Sequence, residues 1–183
     1  QTDHAEEILA REALRRLGAD RVKVAHHRGA SRYAPENTLP AYEKAIRLGA
    51  DYVEFDVRTS RDGKLFLLHD GSLNRTTTLK GPIREYDASE LAHIDAGAWF
   101  GRPFVGTPMP RFEAFLDAIG TRVELYVDAK DIAPEALVEA LRARDLLDRA
   151  VVYQGPDYLA RLRSLEPRLR RMPPLGREDQ IDA

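Results

Sequence analysis

The sequence contains no cysteine among its 183 residues. This absence excludes disulfide bonds, thiolate nucleophiles and cysteine-ligated zinc, so any bound metal must be held by oxygen or imidazole ligands. An excess of charge of one sign is also lacking, because 28 lysines and arginines face 30 aspartates and glutamates, for a formal net charge of -2. The basic residues are scattered among acidic ones, which argues against a nucleic-acid partner.

Long hydrophobic runs are absent as well. No run approaches the roughly 18 apolar residues of a membrane-spanning helix, so we expect no transmembrane segment. The chain starts with Gln1 rather than methionine, which fits either a processed secretory protein or an artificial boundary. A periplasmic or secreted location is slightly favoured over a cytoplasmic one. Hydrophobic residues make up 43% of the sequence, enough for one buried core and a single domain over residues 1–183.

Strands alternate with helices along the chain. We predict six strands, at residues 22–26, 51–59, 65–68, 123–127, 150–153 and 169–172. Helices are predicted at 3–17, from a cap at Asn37 or Thr38 to about residue 48, from residue 89, and at 112–119, 134–147 and 158–165. This alternation predicts a parallel sheet of strand-helix units, either closed into a barrel or open.

The second predicted strand carries two acidic side chains. Its period of two places Val53, Phe55 and Val57 on one face and Glu54 and Asp56 on the other. A parallel strand covered on both faces should be almost continuously apolar, so the acidic pair needs an explanation. At roughly 6 Å apart and an effective dielectric constant of about 20, two carboxylates repel by about 3 kcal/mol.

A bound cation would remove this repulsion. Hard oxygen ligands suit Mg²⁺ or Ca²⁺, and Asp128, at the end of another predicted strand, could supply a third carboxylate. The alternative is that the carboxylates pair with Arg28 or Lys130 and hold no metal. The residue types leave both interpretations open.

Further reactive side chains follow the predicted strands. His27 and Arg28 come after the first strand, His69 ends the third, and Asp128 and Lys130 end the fourth. In a barrel these carboxyl ends form one rim, where catalytic groups gather. Two histidines beside a phosphate could serve as general acid and general base, while an arginine binds the phosphate oxygens in a bidentate manner.

Several motifs in this order resemble the glycerophosphodiester phosphodiesterase family. They are HRG at 27–29, PENT at 35–38, EFD at 54–56, HD at 69–70, NRTT at 74–77 and DAGAWF at 95–100. The resemblance implies a TIM-type (β/α)₈ barrel that hydrolyses glycerophosphodiesters to glycerol 3-phosphate and an alcohol with a divalent cation. Lysophospholipase D and cyclising phospholipase activities are close chemical alternatives.

The resemblance also implies roles for individual residues. We expect catalytic His27 and His69, acting as acid and base in either order, phosphate-binding Arg28 and Lys130, and metal-binding Glu54, Asp56 and Asp128. The family usually has a glutamate two residues before the lysine, whereas this chain has an aspartate. The shorter side chain is expected to change the metal distance or affinity. Asn37 is predicted to cap its helix, and Trp99, Phe100 and Phe104 to form a lid or pack in the core.

Length sets a further expectation. A closed barrel takes at least about 200 residues, and this chain is expected to stop near the sixth strand. We therefore expect a C-terminal segment or a second chain to complete the barrel. A non-catalytic phosphate- or metal-binding module on the same fold is the main alternative function, and a metabolic barrel with a purely structural ion-pair cluster is the third.

Overall fold

The computed structural model describes residues 23–174. Its strands are β1 (Ala25–His26), β2 (Tyr52–Thr59), β3 (Leu65–Leu67), β4 (Glu124–Asp128), β5 (Ala150–Tyr153) and β6 (Arg170–Met172). Its α-helices are α1 (Leu39–Arg47), α2 (Ala88–Leu91), α3 (Phe112–Ile119), α4 (Pro134–Arg142) and α5 (Pro156–Leu165). The helix predicted at residues 3–17 lies outside the described residues.

Five of the six strands form a parallel sheet in the order β1-β2-β4-β5-β6. The third strand differs from the predicted parallel arrangement, because β3 pairs with β2 in antiparallel fashion. The cause is the short connection: the Ser60 amide donates to the Lys64 carbonyl oxygen at 2.8 Å, which closes a hairpin. A parallel crossover would need a dozen or more residues.

The main core lies between the sheet and the helices. Val53, Phe55 and Val57 are fully buried on the face of β2 that was predicted to be apolar. The Phe55 ring lies 4.6 Å from that of Phe115 and 5.9 Å from that of Phe112, centroid to centroid. Both phenylalanine partners belong to α3, so this contact turns the apolar face of β2 towards the helices. The opposite face of β2 is therefore turned away from them.

A second, smaller core underlies the long segment between β3 and α3. It contains buried apolar side chains from both ends and the middle of the segment, among them Phe66, Leu73, Ile83, Leu91 and Met109. The segment is therefore a packed substructure, which gives the loops on its surface a fixed base.

Helix boundaries follow local chain chemistry. Thr38 occupies the N-cap of α1 with Pro40 in the first turn, and the Thr38 hydroxyl donates to the Pro35 carbonyl oxygen at 2.6 Å. Helix α4 ends at Arg142 rather than at residue 147, and the chain soon reaches Asp145 with a φ of 55°.

Among residues 23–174, no helix combines the length and apolar character that a membrane crossing requires.

Candidate active site

Strand pairing brings the three predicted metal-binding residues together. In the parallel register of β2 and β4, Asp56 stands opposite Asp128 and Glu54 opposite Tyr126. One carboxylate oxygen from each of Glu54, Asp56 and Asp128 lies within 4.8 Å of the other two. We call these three residues the carboxylate cluster. Asp56 is fully buried and Glu54 nearly so, so their charges are largely removed from water.

Two basic residues border the carboxylate cluster. The Arg28 Nε lies 3.5 Å from the Asp56 Oδ2, and the Lys130 Nζ lies 3.3 Å from the Asp56 Oδ1. Lys130 also forms an ion pair with Asp128. The ion pairing considered from sequence as an alternative to metal is therefore present. It leaves three carboxylates facing two cations, and the Glu54 Oε2 accepts a hydrogen bond from the backbone amide of Arg28 at 2.7 Å.

The electrostatics of the carboxylate cluster suit a further positive charge. Burial, followed by the negative charge of Asp56, raises the pKa of Glu54 to about 8. The Asp56 Oδ1 is buried without a hydrogen-bond partner of good geometry among the described residues. A buried carboxylate oxygen without a well-formed hydrogen bond, beside two further carboxylates, is a donor set that fits a hard divalent cation.

Asn37 holds Asp56 in place. Its side-chain Nδ2 donates to the Asp56 Oδ2 at 2.8 Å, and its Oδ1 accepts from the Asp56 backbone amide at 3.3 Å and the Tyr42 hydroxyl at 2.8 Å. Of the two residues predicted as possible caps of α1, Thr38 occupies the cap position and Asn37 does not. Asn37 itself is buried with a φ of 56°, a conformation that asparagine tolerates better than most residues.

The turn after β1 presents His27 and Arg28. Arg28 has a φ of 54° and Gly29 a φ of 78°, two consecutive left-handed residues that reverse the chain sharply. A Cβ on Gly29 would lie 2.8 Å from the Ala41 carbonyl carbon, so this position requires glycine. His27 is exposed, and its pKa is lowered by partial burial and then by the charge of Arg28, with a smaller contribution from His69.

His69 reaches the same site by a different route from the predicted one. It does not end a parallel strand, because β3 runs back along β2 and the Leu68 amide donates to the Asp56 carbonyl oxygen at 3.1 Å. Two nitrogens of Arg58 donate to the His69 carbonyl oxygen at 3.1 and 2.8 Å. The hairpin thus returns His69 to the level of Asp56.

Three acidic and basic residues near His69 had no role in the sequence analysis. The His69 Nδ1 lies 2.8 Å from the Asp70 Oδ1, and Arg75 binds both Asp70 and Glu36. Hydrogen bonding from Arg75 lowers the pKa of Asp70 to about 2, against the opposing effect of burial. Their positions in the PENT, HD and NRTT motifs were the only available signal.

The aromatic residues of the DAGAWF segment form a cluster of their own. Trp99 contacts Phe100 edge to face at 5.5 Å, and Phe100 contacts Phe104 in the same manner at 5.3 Å. The Trp99 indole nitrogen donates to the Ala96 carbonyl oxygen at 2.9 Å, and Trp99 remains 42% exposed. The predicted packing role is therefore partly met, at the surface rather than in the core.

Comparison with known proteins agrees with this geometry. Residues 27–172 match the model of the glycerophosphoryl diester phosphodiesterase family. The chain belongs to this family. A glycerophosphodiester phosphodiesterase from Bacillus subtilis (strain 168) is 33% identical over 173 residues, covering 84% of this chain and 59% of the relative. One from Caldanaerobacter subterraneus is 30% identical and covers 79% of this chain and 63% of that protein.

Solved structures of family members have the same fold. The crystal structure of a glycerophosphodiester phosphodiesterase from Agrobacterium tumefaciens has a TM-score of 0.79 at 37% identity, covering 83% of this chain and 66% of that one. An Oleispira antarctica phosphodiesterase, in complex with the product sn-glycerol-3-phosphate, has a TM-score of 0.78 at 28% identity, covering 88% and 71%. The family neighbours are TIM barrels, which confirms the predicted fold. The chain spans less than two thirds of the length of the curated relatives quoted above.

Proposed function

We propose that the chain carries the active site of a metal-dependent phosphodiesterase that hydrolyses glycerophosphodiesters to glycerol 3-phosphate and an alcohol. The observation that supports this most strongly is the juxtaposition of the carboxylate cluster with His69 across Asp56. The three carboxylates have ligand oxygens within 4.8 Å of one another, and the Asp56 carbonyl oxygen binds the residue before His69. Family membership points to the same reaction.

In this proposal Glu54, Asp56 and Asp128 hold a divalent cation, either Mg²⁺ or Ca²⁺. When bound, the cation would neutralise charge on the phosphate oxygens and on the cluster itself. The two basic residues at the edge of the cluster, Arg28 and Lys130, are assigned to the phosphate. Arg28 is well suited because its guanidinium offers several donors in a planar arrangement that matches phosphate geometry.

His27 and His69 are proposed to transfer the protons. One histidine accepts a proton from the attacking water, whose oxygen forms the new bond to phosphorus. The other donates a proton to the alcohol oxygen as its bond to phosphorus breaks, so that glycerol 3-phosphate and a neutral alcohol leave. Asp70 accepts a hydrogen bond at the His69 Nδ1, which leaves the Nε2 nitrogen for this transfer.

The reaction is tested with glycerophosphocholine as substrate, with added Mg²⁺ or Ca²⁺ and with chelator in parallel samples. We expect glycerol 3-phosphate to be released only in the presence of the cation. A substrate panel with lysophospholipids then identifies the alcohol that is preferred. Absence of cation-dependent release from every substrate in the panel would overturn the proposed function.

A non-catalytic phosphate- or metal-binding module is the second candidate, and histidine variants separate the two. His27→Ala and His69→Ala should each lower kcat by about 10²- to 10⁴-fold while cation binding is retained. A binding module would show no turnover in the parent protein and no change of binding in either variant. Completion of the barrel by a further C-terminal segment or by a second chain stays a prediction, as does a single domain over residues 1–183.

A further inference from the structure

Five charged or titratable side chains form an unbroken series of contacts beside the carboxylate cluster. In spatial order the series is Arg28, Glu36, Arg75, Asp70 and His69, which we call the bridged network. It begins at the proposed phosphate-binding arginine and ends at a proposed catalytic histidine. Its central member, Arg75, is assigned neither to phosphate binding nor to proton transfer. It contacts none of the three carboxylates of the cluster in the described structure.

Arg75 uses every nitrogen of its guanidinium within this network. Its Nη1 donates to the Glu36 Oε2 at 2.8 Å and its Nη2 to the Glu36 Oε1 at 2.7 Å. On the adjacent edge, its Nε donates to the Asp70 Oδ2 at 2.8 Å and its Nη2 to the Asp70 Oδ1 at 3.1 Å. Two bidentate pairs on one side chain fix the relative position of two carboxylates, which a lysine cannot do.

Each carboxylate held by Arg75 in turn holds a residue of the proposed reaction. The Glu36 Oε1 accepts from the Arg28 Nη1 at 3.0 Å, and the Asp70 Oδ1 lies 2.8 Å from the His69 Nδ1. A carboxylate at Nδ1 selects the tautomer with the proton on that nitrogen and fixes the ring orientation. Without Arg75, Glu36 and Asp70 would be two neighbouring negative charges that repel each other.

The loop that carries Arg75 has hydrogen bonds that do not involve this side chain. The Thr77 hydroxyl donates to the Leu73 carbonyl oxygen at 2.8 Å, and the Asn74 Oδ1 accepts from the Gly81 amide at 2.7 Å. The Arg75 side chain itself is 42% exposed. Its removal should therefore disturb the network without opening the core.

We propose that Arg75 is a positioning residue that sets the geometry of His69 through Asp70 and of Arg28 through Glu36. The proposal deepens the proposed function and rests on it for the kinetic consequences. Misplacement of a catalytic group by about 1 Å can lower the rate about 100-fold. We expect Arg75→Ala to lower kcat by that order, with a smaller rise in KM because Arg28 loses part of its support.

The test compares Arg75→Ala and Arg75→Lys with Arg61→Ala. Arg61 is a matched control, because it forms a bidentate pair with Asp87 at 2.9 and 2.7 Å and is 55% exposed, outside the bridged network. Arg75→Lys should remain well below the parent rate, and added guanidinium ion should restore part of the activity of Arg75→Ala only. Parent-like kcat in Arg75→Ala would overturn the proposal.

A second readout separates this proposal from the proposed function. Long-range ¹⁵N–¹H NMR spectra of the imidazole nitrogens report the tautomer of His69 whether or not the protein turns over a substrate. We expect the proton on Nδ1 in the parent and Arg61→Ala proteins, and a mixture of tautomers in Arg75→Ala. An unchanged His69 spectrum in Arg75→Ala would refute the positioning role, whereas a changed spectrum in a protein without phosphodiesterase activity would refute the function alone.

Discussion

The carboxylate cluster and the bridged network lie side by side, yet they balance their charges in opposite ways. In the bridged network, arginine and carboxylate alternate, so each charge meets an opposite charge at hydrogen-bond distance. In the carboxylate cluster, three carboxylates share two cations, and the Asp56 Oδ1 has no well-formed hydrogen bond. Every carboxylate of the network is thus paired with an arginine, whereas the cluster holds three carboxylates within 4.8 Å of one another beside two cations.

The difference follows from the elements that carry the residues. The cluster stands on β2 and β4, where backbone pairing fixes Asp56 opposite Asp128 whatever their mutual repulsion. The members of the network lie mainly on loops, whose backbones can adopt the conformation that allows each ion pair to form. Rigid strands can therefore hold like charges close together until a ligand neutralises them. Loops supply side chains that adjust their positions around such a site.

The largest effect is expected when the cluster is broken at its centre. Asp56→Asn keeps the shape of the side chain and removes the negative charge at the centre of the cluster. We expect loss of measurable Mg²⁺ or Ca²⁺ binding by calorimetry and a fall in kcat/KM of about 10³-fold or more, because a metal ion contributes several kcal/mol to such a reaction.

Asp117→Asn is the control for this change, since Asp117 is an exposed residue paired with Arg144 at 2.6 Å. It should bind the cation and turn over substrate as the parent does. Cation binding by Asp56→Asn with unchanged affinity would remove Asp56 from the metal site and would make the cluster an ion-pair arrangement like the network.

A smaller effect should appear in the stability of the metal-free protein. Because the pKa of Glu54 rises from 4.5 to about 8, its contribution to stability is complete below pH 4.5 and is lost as the pH rises through 8. The free energy of unfolding should therefore fall over this interval by about 2 to 5 kcal/mol more in the parent than in Glu54→Gln. Urea unfolding in chelator at pH 5, 7 and 9 measures the difference.

Added divalent cation should reverse this loss in the parent and have little effect on Glu54→Gln. The reversal should grow with pH, because the cation displaces the proton that Glu54 otherwise retains. Identical pH dependence of the two proteins in chelator would show that Glu54 is not held protonated by its surroundings.

The cluster could be predicted from sequence because its signal is local. The alternation of β2 separates Glu54 and Asp56 from the apolar residues between them, and the buried face was predicted correctly. The position of Asp128 followed from a strand end. These inferences need only the period of a strand and the rule that parallel strands end at one edge of a sheet.

The network could not be predicted in the same way. Glu36 and Arg75 are 39 residues apart in the chain, and no periodicity relates them. The approach of His69 to Asp56 through the β3 hairpin could not be predicted, because an apolar run is typical both of an antiparallel hairpin strand and of a parallel strand that follows a crossover. Asn37 was misread for a related reason, because asparagine is both a common helix cap and a good support for a carboxylate.

The smallest effect is expected in the network, at Asp70. Its pKa is lowered from 3.8 to about 2, mainly by its hydrogen bond to Arg75, so its stabilisation is present above pH 3.8 and is lost as the pH falls through 2. The Asp70 side chain is 30% exposed, and solvent screening limits the contribution to about 1 kcal/mol. Asp70→Asn should therefore unfold at lower urea concentration than the parent at pH 6.

The difference between Asp70→Asn and the parent should shrink as the pH approaches 2, where the parent carboxylate is also protonated. Asp87→Asn is the control, because Asp87 has the same type of bidentate arginine partner at an exposed position. Equal stability of Asp70→Asn and parent at pH 6 would mean that Arg75 is held by Glu36 alone. The contact between Arg75 and Asp70 would then contribute nothing to stability. His69 would be held only by the two hydrogen bonds from Arg58 to its carbonyl oxygen.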